Sequence, residues 1–167
     1  AVLLAAMGRV WWCRAGDAEL WSGAAEIASR HNSQHLVDPY TFTHGLHGLV
    51  FYGLAWAVAG GRVGWLGRAW LGLVAEVAWE IVENTPFVIE RYRAGTISLD
   101  YYGDSVVNSI GDVLAYAVGY AAAGAIPVWA SVGAFFLVDG ALALWIRDGL
   151  ILNVLMLVWP LESIARW

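Results

Sequence analysis

The stretch Pro127–Ile146, PVWASVGAFFLVDGALALWI, carries one charge, Asp139, and opens on a proline. About 20 apolar residues are what a helix needs to cross a hydrocarbon core ~30 Å thick. Proline is favoured in the first helical turn, where its missing N–H costs nothing. The stretch therefore reads as a membrane-spanning helix. Working outward, three further stretches have near-spanning length: about Asp104 to Gly124, about Trp65 to Asn84, and about Tyr40 to Ala59. Gly60-Gly61-Arg62-Val63-Gly64 and Ala123-Gly124-Ala125-Ile126-Pro127 are helix stops between them. Ala1 to Trp12 is too short to cross and reads as the end of a truncated first span, with a cleaved signal remnant as the alternative. Leu150 to Pro160 is also short, so it reads as re-entrant or interfacial. Trp11, Trp12, Trp65, Trp159 and Trp167 fall near the ends of these runs, as an aromatic belt would. The expected fold is all-α: a polytopic membrane bundle of about five helices, in one integral-membrane domain covering residues 1–167. Gly45, Gly48 and Gly133 are the expected points of close helix approach.

Composition agrees. Of 167 residues, 60% are hydrophobic and 14% charged, against about 25% charged in soluble domains. Disorder requires the opposite balance. All nine basic residues are Arg and the net charge is −5, which leaves no basic stripe for nucleic acid. The single Cys, Cys13, excludes an intrachain disulfide framework.

The spans alternate in direction, so depth can be measured from the side on which the second span begins, here the near side. Three polar layers result. His44, Glu83 and Asp104 are outermost. His47, Glu80 and Asn108 lie a turn deeper. Glu76, Asp112 and Asp139 are deepest. Glu76, Glu80 and Glu83 share a helix stripe, as do Asp104, Asn108 and Asp112. Charges facing lipid would cost roughly 2.5–3.5 kcal/mol each, so the stripes should face one another. No such ladder marks the far half, and no Arg lies at matching depth. Uncompensated carboxylates at that depth point to a proton or cation site opening on the near side.

His with carboxylates suits zinc or a similar divalent metal, and a metal-bound water beside a carboxylate is a hydrolytic arrangement. On this reading His44, His47, Glu83 and Asp104 hold the metal and Glu76, Glu80 or Asp112 moves the proton. Arg91 and Arg93, flanking Tyr92, bind a lipid or lipid-linked phosphate, with Asn108 also on the substrate; an interfacial pairing with Glu90 is the alternative. His31 and His35 precede Pro39 in a loop and read as solvated. Two other functions compete with the enzyme: a proton- or cation-binding transport module, and a non-catalytic subunit whose Trp-rich faces meet a membrane-protein partner or a second copy.

Several long motifs carry a resemblance: Asn32-Ser33-Gln34-His35, Tyr40-Thr41-Phe42-Thr43-His44-Gly45-Leu46-His47-Gly48, Trp79-Glu80-Ile81-Val82-Glu83-Asn84-Thr85-Pro86-Phe87, Ile89-Glu90-Arg91-Tyr92-Arg93, Ser98 through Ser109, and Asn153 through Pro160. In order and spacing they resemble domain of unknown function 2585, a family of multi-pass bacterial inner-membrane proteins. The resemblance runs from about Cys13 onward. It implies location and topology and carries no activity. The chain departs from the pattern in its first half-span and at Pro39, where a bulky aromatic is expected. Asp104-x-x-x-Asn108-x-x-Gly111 is similar, over these few residues, to a helix of VanZ-like membrane proteins, without the further glycine expected near Ala115.

Overall fold

The computed structural model describes residues 1–23, 25, 27–96 and 98–166; Trp167, expected in the aromatic belt, lies outside them. The described residues form helices, with a single isolated bridge between Trp21 and Val37. The elements are α1 (Val2–Ala6), α2 (Thr41–Ala59), α3 (Trp65–Glu83), α4 (Pro86–Gly95), α5 (Val106–Ala125), α6 (Val128–Ile146), α7 (Leu150–Val158) and α8 (Glu162–Ala165). A 3₁₀ turn, Gly60–Arg62, joins α2 to α3.

Local chemistry sets the ends. Gly60 adopts φ +49° after α2, a conformation glycine takes without Cβ strain. Arg68 donates from Nη1 to the Gly60 and Val63 carbonyls at 2.8 and 2.6 Å, so carbonyls in this turn find a cationic donor. Ser105 caps α5 by accepting from the Asn108 N–H at 3.0 Å. The Val106 and Val107 N–H groups donate to the Val10 and Trp11 carbonyls at 2.8 and 3.3 Å. Asp104 thus lies two residues ahead of α5 rather than at its first turn. Pro127 is the cap of α6 rather than its first residue.

α2 lies along α5, with α3 and α6 beside the pair; α4 meets α7 at the near end. The α2–α5 approach is made by small residues. A Cβ on Gly48 would overlap the backbone of Tyr116, Gly119 and Tyr120, and one on Gly119 would overlap Gly45. Gly133 has open space around it, so it is not an approach point.

Among the described residues two helices are long and apolar enough to cross a membrane by length and composition: α5 and α6, with mean hydropathy 1.3 and 1.7. α2 has the length, but its two histidines lower its hydropathy, and α3 carries Arg68, Glu76, Glu80 and Glu83. The apolar N-terminal run is helical only over Val2–Ala6; beyond it Gly8 takes φ +84°. α7 spans nine residues.

Polar and charged side chains share the interior with apolar ones, and many large apolar side chains are exposed. His35, Glu76, Asn84 and Asn108 are among the most enclosed side chains, while Leu144, Val128 and Trp129 are 83%, 79% and 78% exposed.

Candidate metal centre

His44 and His47 are a turn apart on α2 and therefore share its α3-facing side; their rings meet edge to face at 4.9 Å. Glu76 rises opposite from α3. His44 Nδ1 lies 2.7 Å from Glu76 Oε1, and His47 Nδ1 3.0 Å from Oε2. A fully buried carboxylate is thus held by two imidazoles, one on each oxygen, and its acceptors are used.

Glu80, Glu83 and Asp112 differ. Glu80 Oε1 lies 3.2 Å from His44 Nδ1, and Asp112 Oδ2 lies 3.9 Å from His44 Nε2. Yet both Glu80 oxygens, Glu83 Oε2 and Asp112 Oδ1 are buried without a hydrogen-bond donor of good geometry. Buried acceptors are rarely left so. Two triads have ligand atoms close enough to share an ion: His44, His47 and Glu76, and His44, Glu80 and Glu83. Buried carboxylate oxygens without a well-placed donor, gathered around one imidazole, fit a cation, because each has a lone pair to offer it.

Of these groups His44, His47, Glu83 and Asp112 border a cavity of about 40 Å³, lined also by Asp104 and Tyr101 among others; Glu76 and Glu80 do not line it. It has room for an ion and a few waters. Its rim is fixed by bonds outside the long helices. Asp104 accepts from Asn84 Nδ2 at 2.6 Å and returns its own N–H to Asn84 Oδ1 at 2.8 Å. Asp38 accepts from the Tyr40 and Thr41 N–H groups at 2.7 and 3.1 Å. Burial pushes both the Asp38 and Asp104 carboxyls up to about 6, although these bonds pull the other way.

The sequence layers shift by about a turn. Measured from the helix ends, His44 is level with Glu80, and its ring reaches both Glu76 and Asp112. Asp139 does not face the cavity; its Oδ1 accepts from the Ile151 N–H at 3.3 Å, at the start of α7. Asn108 donates to the His35 carbonyl at 2.8 Å and to Asp38 at 3.3 Å, so it anchors the preceding loop. Arg91 donates to the Leu157 and Val158 carbonyls at 2.8 and 3.3 Å, at the C-terminal end of α7. Arg93 donates to Leu99 and stacks over Tyr102 at 4.5 Å. Neither arginine lines the cavity.

Sequence reasoning missed a neighbouring cavity of about 330 Å³, lined by Arg9, Arg14, Arg30, Asn32 and Asp104 among others. Asn32 and Asp104 line both spaces. No spacing rule links Arg9, Arg14 and Arg30, because irregular chain brings them together. Nor is His35 solvated, being 1% exposed, while His31 is partly buried. On the far half, Tyr116 and Tyr120 bury hydroxyls without a hydrogen-bond partner, polar groups that a search for charges overlooks.

The model of a family described as a protein of unknown function, DUF2585, matches residues 4–167. The chain is 50% identical over 161 residues to a UPF0314 protein of Rhizobium meliloti, covering 96% of this chain and 80% of the relative. It is 51% identical over 172 residues to a UPF0314 protein of Paracoccus denitrificans, covering 99% and 87%. One from Sphingopyxis alaskensis is 42% identical over 168 residues, covering 100% and 87%. No solved structure matches.

Proposed function

The chain belongs to the DUF2585 family, and from that premise we propose that it is a multi-pass bacterial inner-membrane protein binding a divalent metal between its helices. The orphaned oxygens of Glu80, Glu83 and Asp112 around His44 carry this reading. His44, Glu80 and Glu83 hold the ion, with Asp112 beside it. Glu76 acts as the orienting carboxylate. It holds the rings of His44 and His47 through their Nδ1 atoms, which leaves His44 Nε2 as the lone pair; that nitrogen faces Asp112 at 3.9 Å, while Glu80 lies nearer Nδ1 at 3.2 Å. The exposed large apolar side chains and the buried acids support the membrane placement, since the first suit lipid and the second avoid it. That placement extends the spanning role to α2 and α3, whose polar faces point inward.

The reaction class this favours is hydrolysis of a lipid-linked phosphate. A bound divalent ion supplies an acidified water at neutral pH. The adjoining pocket of Arg9, Arg14 and Arg30 offers guanidinium groups suited to phosphate and shares a wall with the cavity. The test is metal content of the purified chain with Glu80→Gln and Glu83→Gln together. The expected result is about one fewer divalent ion per chain than wild type, with loss of metal-dependent phosphate release from a short prenyl diphosphate. Unchanged metal content would overturn the reading.

A second reading rests on Tyr116 and Tyr120. Their buried hydroxyls continue the polar path below Glu76, as a proton-conducting module would require. It predicts proton flux in proteoliposomes that Glu80→Gln abolishes; flux indifferent to this change removes it.

A further inference from the structure

Cys13, Asp17, His31 and His35 come together in the irregular chain between α1 and α2, apart from the centre described above. Their donor atoms all lie within 4.8 Å of one another. His31 Nδ1 faces three of them: Cys13 Sγ at 3.5 Å, His35 Nε2 at 3.3 Å and Asp17 Oδ2 at 3.4 Å. A tetrahedral zinc with bonds of about 2.0–2.1 Å to N or O and about 2.3 Å to S sets neighbouring ligand atoms about 3.3–3.6 Å apart. The three distances have the edge lengths of that tetrahedron.

Hydrogen bonding alone accounts for the cluster poorly. A proton on His31 Nδ1 serves one acceptor well, and three face it. A cation among the four serves all of them. The tautomer of His35 is set from behind. Its Nδ1 donates to the Glu19 carbonyl at 2.6 Å, which leaves Nε2 as a lone pair aimed into the cluster.

We propose that these four side chains form a structural zinc site. Binding breaks the Cys13 S–H bond, the proton passes to solvent water, and the sulfur pair forms the bond to zinc. All four positions of the ion are filled by protein, so the site is closed and not hydrolytic. Its effect is to hold the chain around Cys13 and Asp17 to that around His31 and His35, between which Asn32 and Ser33 line the polar cavity. A segment with so little regular structure gains most from such a clamp. Because Cys13 is the sole cysteine, a thiolate signature reports this site alone.

The experiment loads the full-length chain in detergent micelles with cobalt(II) in place of zinc. Wild type should show a near-ultraviolet thiolate-to-cobalt charge-transfer band that zinc displaces. Cys13→Ser should lack the band, and His44→Ala should keep it, so failure of the intramembrane centre leaves this result untouched. With no variant at all, zinc should slow alkylation of Cys13 in the metal-stripped wild-type chain at least tenfold. No charge-transfer band at saturating cobalt, or alkylation that zinc leaves unchanged, would overturn the site.

Discussion

Asp38 is enclosed by backbone and amide donors at the head of α2, yet burial still holds its carboxyl near 6. The sign of the consequence follows from proton binding. The folded chain binds a proton at Asp38 where the unfolded chain has lost it, between its ordinary value of 3.8 and about 6. That contribution to stability is complete below the lower value and is lost as pH rises through the upper one, at most about 3 kcal/mol. Thermal unfolding in micelles should therefore show a lower Tm at pH 7.5 than at pH 5. Asp38→Asn should reduce this difference, with Asp104, whose carboxyl is also pushed up to about 6, keeping part of it, while retaining an acceptor for the Tyr40 and Thr41 N–H groups; an undiminished pH dependence would count against it. Residues of this kind were only partly legible in sequence. The stripes of Glu76, Glu80 and Glu83 follow from helical period. Which of them is saturated and which is orphaned depends on where His44 and His47 arrive, and period does not report that. Asp38 and Asn84 gave no signal, because short polar residues in loops usually meet water.

Helices were the easiest elements to read, since each of the four long ones is bounded by glycine, proline or a serine cap. Their starts were less secure. A polar residue such as Asp104 looks like a first-turn acid, but Ser105 takes the cap and moves the boundary inward by two residues. Helix pairing was half legible. Gly45 and Gly48 do meet α5, whereas Gly133 faces open space, and a glycine-rich chain offers no way to sort them beforehand. The α2–α5 contact makes a direct prediction. Gly119→Ala forces a methyl against the Gly45 backbone, neither partner being a side chain able to turn aside. It should cost about 1–3 kcal/mol, as overpacking does, read as a lowered midpoint of denaturant unfolding. Gly133→Ala on α6 should leave the midpoint in place or raise it slightly through helix propensity.

Across the molecule, eight of the nine arginines are sorted by end. Arg9, Arg14, Arg30, Arg91, Arg93 and Arg147 lie at the near end, and Arg62 and Arg68 at the other. Positive residues favour the cytoplasmic face, so a reporter fused at Gly61 should prove periplasmic. The chain should also stay in the membrane pellet through alkaline carbonate; release into the supernatant would refute the placement. At this scale the membrane reading comes from composition, 60% hydrophobic residues, to which the structure adds the helices α5 and α6, long and apolar enough to cross a membrane. The irregular chain before α2 stayed opaque, since its order comes from partners distant in sequence. The hydrogen bonds from Val106 and Val107 to Val10 and Trp11 show what that means in time. During synthesis the acceptors emerge early and the donors some hundred residues later, after α2, α3 and α4. These hydrogen bonds cannot close until α5 is made. Closure of the near end is therefore a late event in biogenesis, and a chain stalled before Val106 leaves that end open.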